Sequence, residues 1–435
     1  MTDSEPVVDT EQQSPVVGTS KPRLLHVLGP GLITGASDDD PSGIATYSQA
    51  GAQFGFGLSW VLLATYPLMT AIQMISARMG RTTGRGIAGL LRQHYPAWVL
   101  MSIVLPLLVA NAVNIGADLG AMADATRLIV GGSQLIYVLL FAVVSTTLQV
   151  FMQYTRYVAV LKWLALILLA YVAALLMAKV PWSEALYRLV VPEIRWDKTY
   201  LTTLVAILGT TISPYLFFWQ ASQEAEDVRE TPTRQPLRRA PVQGPGALSR
   251  IGLDTLVGMG ISNAIALAIL ITAASTLHSA GVVDIETSAQ AAEALRPIAG
   301  ATAEIVFALG VIGTGLLAIP VLAGSAAYAV GEARKWPVGL ARRPMEAKAF
   351  YATITIATLV GMAMNFTALN PIKALYWSAV LNGIVSVPVM VMMMLLARSK
   401  KVMGEFALSG WLFALGWGAT GVMTAAVVTM IVTSF

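Results

Sequence analysis

The sequence predicts an all-α protein threaded through a lipid bilayer about eleven times. Three observations predict it. Of the 435 residues, 56% are hydrophobic. Only 12% are charged, about half of the roughly 25% usual in soluble domains. The apolar residues also fall in runs long enough to cross a hydrocarbon core, which takes about 20 helical residues. A soluble fold of this length has too little interior to hide so much apolar surface, whereas lipid solvates it.

The runs cover residues 24–51, 57–78, 97–126, 134–154, 157–180, 199–222, 253–277, 301–330, 349–367, 371–397 and 410–433. Charge orients them. Lys21 and Arg23 precede the first run, and Arg81, Arg85 and Arg92 fill the second connection. Arg156 lies in the fourth, and Arg229, Arg234, Arg238, Arg239 and Arg250 crowd the sixth. Arg334, Lys335, Arg342 and Arg343 fill the eighth, and Arg398, Lys400 and Lys401 the tenth. These share one side, while the odd-numbered connections are mixed or acidic, as at Asp284, Glu286 and Glu293. The positive-inside rule puts the N-terminus in the cytoplasm and the C-terminus outside. A bacterial-type cytoplasmic (inner) membrane is the expected location.

Outside the runs the sequence is plainer. Residues 1–23 read as a disordered cytoplasmic tail, because the acidic start lacks the basic and apolar parts of a secretory signal. The connection 228–250, with Pro232, Pro236, Pro241 and Pro245, reads as a loose cytoplasmic loop. Residues 283–297 read as a surface helix on the outer side. With no cysteine in the chain, disulfides, thiolate metal sites and cysteine nucleophiles are excluded. The net charge of +4 sits in a few loops, so nothing points to nucleic acid.

The first run is interrupted. Gly35-Ala36-Ser37-Asp38-Asp39-Asp40-Pro41-Ser42-Gly43 places three carboxylates in an apolar segment. Each costs about 2.5–3.5 kcal/mol at the bilayer centre on insertion scales. Pro41 lacks an N–H and Gly43 tolerates non-helical backbone, so the helix is expected to unwind over residues 38–43. Irregular backbone at that depth needs a watery cavity or packed protein around it. Carboxylates and bare carbonyls there suit a hard cation. The sixth run carries a second interruption, Gly209-Thr210-Thr211-Ile212-Ser213-Pro214-Tyr215. Paired broken helices at matching positions of two five-helix halves point to an inverted-repeat transporter. The halves are residues 24–180 and 199–397, with 410–433 as an added helix.

Further polar residues accompany the breaks. Asn111, Asn114 and Asp118 share one face of the third run. Asn382 lies in the tenth. Ser213 and Thr211 serve either an ion or the free backbone of a kink. Glu224, Glu226 and Asp227, at the cytoplasmic end of the sixth run, read as a solvated mouth. His26, His94 and His278 lie near span ends, so no histidine proton relay sits at the centre. The methionines, such as Met390, Met392, Met393 and Met394, read as packing residues.

Gly29-Pro30-Gly31, Asp40-Pro41-Ser42-Gly43, Ala45-Thr46, Gln53-Phe54-Gly55 and Ser76-Ala77-Arg78-Met79-Gly80 with Thr83-Gly84-Arg85 resemble the Nramp divalent-metal transporters. The resemblance spans residues 24–433. It implies a LeuT-type fold of two inverted five-helix repeats plus one extra helix. It also implies transport of divalent metals, commonly manganese or iron, with protons. Several positions depart from the family pattern. Gly43 stands where the family's Asp-Pro-Gly-Asn motif has its ligand Asn. Ser213, Pro214 and Tyr215 replace a Met-Pro-His motif, and Thr210 holds the position of a backbone-carbonyl ligand. Asp118-Leu119-Gly120-Ala121 replaces Asp-Leu-Ala-Glu, Asn111 replaces an acid, and Ala379 replaces a Gln.

These changes remove a soft thioether and an amide ligand and leave a harder, roomier site. Mg²⁺, which keeps several waters, suits such a site. The pattern resembles the Nramp-related magnesium transporter branch. The implied metal set is Asp40, Ser42, Gly43, Thr210, Ser213 and Tyr215. Asp38, Asp39, Asn111, Asn114, Asp118, Thr211 and Asn382 are expected along the ion path. The expected substrate is Mg²⁺ or Mn²⁺, with the bilayer as the other partner, no cofactor and a monomeric chain. A proton-coupled Mn²⁺ or Fe²⁺ importer is the first rival. A Mg²⁺-dependent membrane prenyl transferase, holding a lipid diphosphate on Asp38, Asp39 and Asp40, is a more distant one.

Overall fold

The computed structural model describes residues 30–152, 168–367 and 370–434, and these are helical with connecting turns. The tail 1–23, the start of the first span and the stretch 157–167 of the fifth lie outside them. The helices of interest are α1 (Pro30–Asp38), α2 (Pro41–Phe54), α3 (Ser59–Thr83), α4 (Ile87–His94), α5 (Ala97–Val130) and α6 (Gln134–Phe151). They continue as α7 (Leu169–Met177), α8 (Trp182–Val190), α9 (Lys198–Thr211), α10 (Pro214–Glu230) and α11 (Gly244–Ala273). The last four are α12 (Ala303–Arg334), α13 (Lys348–Met364), α14 (Pro371–Arg398) and α15 (Gly410–Val432).

Among the described residues, 8 helical stretches are long and apolar enough to cross a membrane. α13 is a shorter apolar helix, α1 with α2 forms the broken first span, and α7 is the described part of the fifth. Each predicted span thus has at least a described part, that of the fifth being Leu169–Met177.

Both broken spans restart in the same way. Pro41 and Pro214 occupy the first turns of α2 and α10, where a missing N–H leaves no hydrogen bond unmade. Asp40 and Ser213 precede them in extended conformation. The breaks are short. Only Asp39 and Asp40 separate α1 from α2, and only Ile212 and Ser213 separate α9 from α10. The expected unwinding over 38–43 is therefore narrower, because the Asp40 carboxylate caps the next helix. It accepts from the Gly43 N–H at 2.8 Å and draws Gly43 into the first turn of α2.

α1 lies against α11, α10 against α3, and α5 against α12, α13 and α14. The α1–α11 contact is made by small residues. A Cβ on Gly35 would stand 2.3 Å from the Gly258 carbonyl oxygen. The Gly31 N–H donates to Asp254 Oδ2 at 2.7 Å. Small residues four apart bring helix backbones together in membranes.

Two connections differ from expectation. The 228–250 segment is docked: the N–H groups of Leu237 and Arg238 donate to the carbonyls of Arg81 and Thr82 at the end of α3. Buried Arg81 binds the Gln235 carbonyl and the Gln243 side chain. The segment also carries Leu237, fully buried, so apolar anchoring overrides its polar, proline-rich composition. Residues 283–297 form no single helix but short pieces, Ser288–Ala292, Glu293–Leu295 and Arg296–Ala299. They pack inward through Ile285, Ala291 and Leu295. Gln49 fixes them to α2, donating to the Val283 carbonyl and accepting from the Ile285 N–H.

Candidate metal centre

The two breaks face each other across the middle of the molecule, and Asp40 stands between them. Its Oδ1 accepts from Ser42 Oγ at 2.6 Å and from the Gly43 N–H at 2.8 Å. Its Oδ2 accepts from Asn114 Nδ2 of α5 at 2.9 Å. Tyr215, on the first turn of α10, donates its hydroxyl to the Ser37 carbonyl at 3.1 Å and lies 3.5 Å from the same Oδ2. Three helices, α2, α5 and α10, thus converge on one carboxylate. Lys and Arg are absent from its contacts, and among the described residues no ion pair involves Asp38, Asp39, Asp40 or Asp118.

Asp118 is fully buried on α5, and neither of its oxygens has a hydrogen-bond partner. One oxygen of Asp38 is also unpartnered; the other accepts from Ser262 Oγ of α11 at 2.6 Å. The same hydroxyl lies 3.3 Å from Asp39 Oδ1. A buried ionised carboxylate without donors is costly. Such oxygens can accept from a cation, a water or a proton of their own.

The remaining predicted residues divide. Asn382 is buried on α14 with both amide atoms unpartnered. One turn on, Ser386 donates to the Ile212 carbonyl at 2.6 Å, which sets Asn382 beside the second break. Thr210 points at the first break: a Cβ on Gly43 would lie 3.3 Å from its Oγ1 and 3.2 Å from the Asp38 carbonyl. Gly43 therefore provides room and an N–H rather than a side chain. The hydroxyls of Thr211 and Ser213 turn back on their own helix, donating to Ile207 and Gly209 at 2.9 and 2.8 Å. They satisfy backbone at the kink. Asn111 donates to the Leu322 carbonyl of α12 at 2.9 Å, and its own oxygen is unpartnered. Among the described residues, no three acidic or histidine side chains converge tightly enough to hold a metal by themselves.

Sequence reasoning missed Ser262, Asp254 and Tyr47. Ser262 touches both flanking aspartates, and Tyr47 is fully buried one turn past Gly43 with an unpartnered hydroxyl. A signal was present for the α11 residues. Asp254, Gly258 and Ser262 recur every four residues and mirror Gly31 and Gly35 on α1.

The cytoplasmic end of α10 is not a solvated mouth. Glu224, Glu226 and Asp227 are buried. Arg250 grips Glu224 through two hydrogen bonds. Glu226 accepts from Tyr328 and from the N–H groups of Leu340 and Ala341. Asp227 faces Arg234 at 3.7 Å. Every one of these acids has cationic or N–H partners, Glu224 from helix α11 and Glu226 and Asp227 from Leu340, Ala341 and Arg234 of the connecting segments.

Comparison with known proteins bears on the family and the fold. The Nramp family model, natural resistance-associated macrophage protein-like, matches residues 31–433. The chain is 28% identical over 406 residues to a divalent metal cation transporter MntH of Burkholderia ambifaria, covering 88% of this chain and 83% of that one. In fold it resembles a histidine-to-alanine variant of the Eremococcus coleocola manganese transporter, at TM-score 0.73 and 16% identity, covering 96% of this chain and 89% of that one. It also resembles MhsT in complex with L-phenylalanine, at TM-score 0.60 and 14% identity, over 93% of this chain and 98% of that one. The architecture is therefore the LeuT-type fold, two inverted five-helix repeats plus one extra helix, in an integral membrane protein. With the match running through both broken spans, the chain belongs to the Nramp family.

Proposed function

We propose that this protein imports a divalent metal cation by alternating access, that Mg²⁺ is its substrate with Mn²⁺ also accepted, and that uptake proceeds without proton coupling. The observation that carries the reading is the group of buried aspartates Asp38, Asp39 and Asp40 at the first break with Asp118 on α5, where one oxygen of Asp38 and both of Asp118 are unpartnered and no basic side chain among the described residues neutralises them. Asp40 supplies the main charge. Ser42, Gly43, Thr210, Ser213 and Tyr215 surround it with hydroxyl and backbone groups, and Asp38, Asp39, Asn111, Asn114, Asp118, Thr211 and Asn382 line the approach. Residues 24–180 and 199–397 act as the two repeats, and 410–433 as the added helix.

The donor set is all oxygen and amide, with neither thioether nor imidazole at the breaks, which favours a hard ion. An inward-negative potential favours entry of a divalent cation by about 4.6 kcal/mol per 100 mV, enough to drive uptake without a second ion. The site side chains are buried on every side, so the closed packing must open to admit an ion with its waters.

A second reading keeps the fold and makes the protein a proton-coupled Mn²⁺ or Fe²⁺ importer. Two observations favour it: the relatives carry divalent-metal and manganese names, and Asp118 is a buried carboxyl free to hold a proton. Prenyl transfer is set aside, since the relatives are transporters and the acids at the end of α10 are already taken by Arg250, Tyr328 and loop N–H groups. One flux panel separates the two transport readings. Proteoliposomes offered Mg²⁺, Mn²⁺ or Ca²⁺ should take up Mg²⁺ and Mn²⁺ with a silent internal pH dye. Acidification that tracks Mn²⁺ entry, without Mg²⁺ entry, selects the second reading.

A further inference from the structure

We propose that the cytoplasmic rim where α3, α14 and α15 meet binds the phosphate of an anionic phospholipid of the inner leaflet. The starting observation is Arg78. It lies on α3 within the membrane-spanning stretch, its Nε is buried without a hydrogen-bond partner, and no described residue pairs with its charge. A half-buried guanidinium with no counter-ion is unfavourable in a low-dielectric setting.

The surroundings supply more cations and, among the described residues, no acid that forms an ion pair with them. α3 and α15 run in opposite directions, and a Cβ on Gly416 would lie 2.7 Å from Ile75 Cδ1. One turn toward the cytoplasm from that contact, Arg78 reaches the level of Phe413. The Arg398 guanidinium stands 5.4 Å from the Phe413 ring centroid. The short helix Lys400–Met403 packs on α3, burying Val402 and Met403 and leaving Lys400 and Lys401 exposed. Arg238 joins them, its Cγ 3.7 Å from where a Cβ on Gly404 would be. None of Arg78, Arg238, Arg398, Lys400 or Lys401 takes part in an ion pair among the described residues. The acid in this loop, Glu405, is exposed.

Position decides the partner. This rim lies on the side with the arginine-rich connections, at the level of the exposed Trp411, 64% accessible. Tryptophan favours the headgroup level of a bilayer. Clusters of Lys and Arg beside a span attract anionic lipid on that leaflet. A lipid phosphate on Arg78 and Arg398, with its acyl chains along Phe413 and Trp411, satisfies both the stranded guanidinium and the apolar rim.

The test uses the purified full-length protein in neutral detergent, with lipid retention read by native mass spectrometry. Phosphatidylglycerol should be retained at least about tenfold better than phosphatidylcholine, given about fivefold per neighbouring cation. Arg78→Gln combined with Arg398→Gln should reduce phosphatidylglycerol to the phosphatidylcholine level. Lys400→Gln with Lys401→Gln, both exposed and safe for folding, should lower retention severalfold, whereas Arg343→Gln should not. Equal retention of the two lipids overturns the proposal. So does retention unchanged in the Lys400→Gln, Lys401→Gln variant, or displacement of the lipid by millimolar glycerophosphate, which would mark a site for a soluble anion.

Discussion

Two groups of buried carboxylates in this molecule have the same chemistry and opposite surroundings. At the cytoplasmic end of α10, Glu224, Glu226 and Asp227 meet arginines, a tyrosine and loop N–H groups. Glu332 of α12 belongs with them, accepting from the N–H groups of Gly86 and Gly89 and from Ser222. At mid-membrane, Asp38 has one bare oxygen and Asp118 has two. Burial is equal, so burial does not distinguish structure from function here. Partnering differs: the cytoplasmic acids tie helices and loops together, whereas Asp38 and Asp118 keep bare oxygens, which is what the proposed ion site builds on.

That contrast can be broken by mutation. Removing one side of the cytoplasmic clamp should hurt stability most. Arg250→Met leaves Glu224 buried and unpaired, with an expected loss of about 3–5 kcal/mol. Thermal unfolding in detergent should show it, and Glu224→Gln in the same background should recover much of the loss. An Arg250→Met protein as stable as the parent would mean the clamp is idle.

Gly35→Ala tests the close approach of α1 to α11. Its Cβ would meet the Gly258 carbonyl oxygen at 2.3 Å, and overpacking of that kind costs about 1–3 kcal/mol. Transport should fall together with the melting temperature, because Ser262 would be carried away from Asp38 and Asp39. Normal flux with normal stability would show that α1 slides freely there.

Asp118→Asn should have the smallest effect on stability and the opposite sign. It removes a buried carboxylate that nothing pairs, so stability should hold or rise, by up to about 1 kcal/mol. Apparent affinity for the ion should weaken by a similar energy, roughly fivefold, as expected for one charge acting at a distance. A marked loss of stability would place Asp118 among the structural acids instead.

Much of this was legible in the sequence, for physical reasons that also set the limit. Three aspartates and a proline in an apolar run have few explanations other than a broken helix, and Asp40 lies at that break. The pairing of Asp38 and Asp39 with Ser262 was not legible, because it depends on α1 meeting α11, 224 and 223 residues away in sequence. Burial of Glu224 was hidden for a similar reason. Arg250 and the loop around Leu237 are far from obvious partners until the loop folds back on α3. Thr211 and Ser213 show the remaining ambiguity. A hydroxyl beside a kink serves backbone and ligand equally well on paper, and here both turn to backbone carbonyls.

The most direct measurement is Mg²⁺ flux into proteoliposomes bearing Asp40→Asn. Asparagine can still cap α2 through its side-chain oxygen, so folding should survive and only the charge is lost. The account predicts a folded, monodisperse protein whose Mg²⁺ uptake falls to the level of empty vesicles. Uptake equal to that of the parent protein would contradict the assignment of Asp40 as the ion's main ligand.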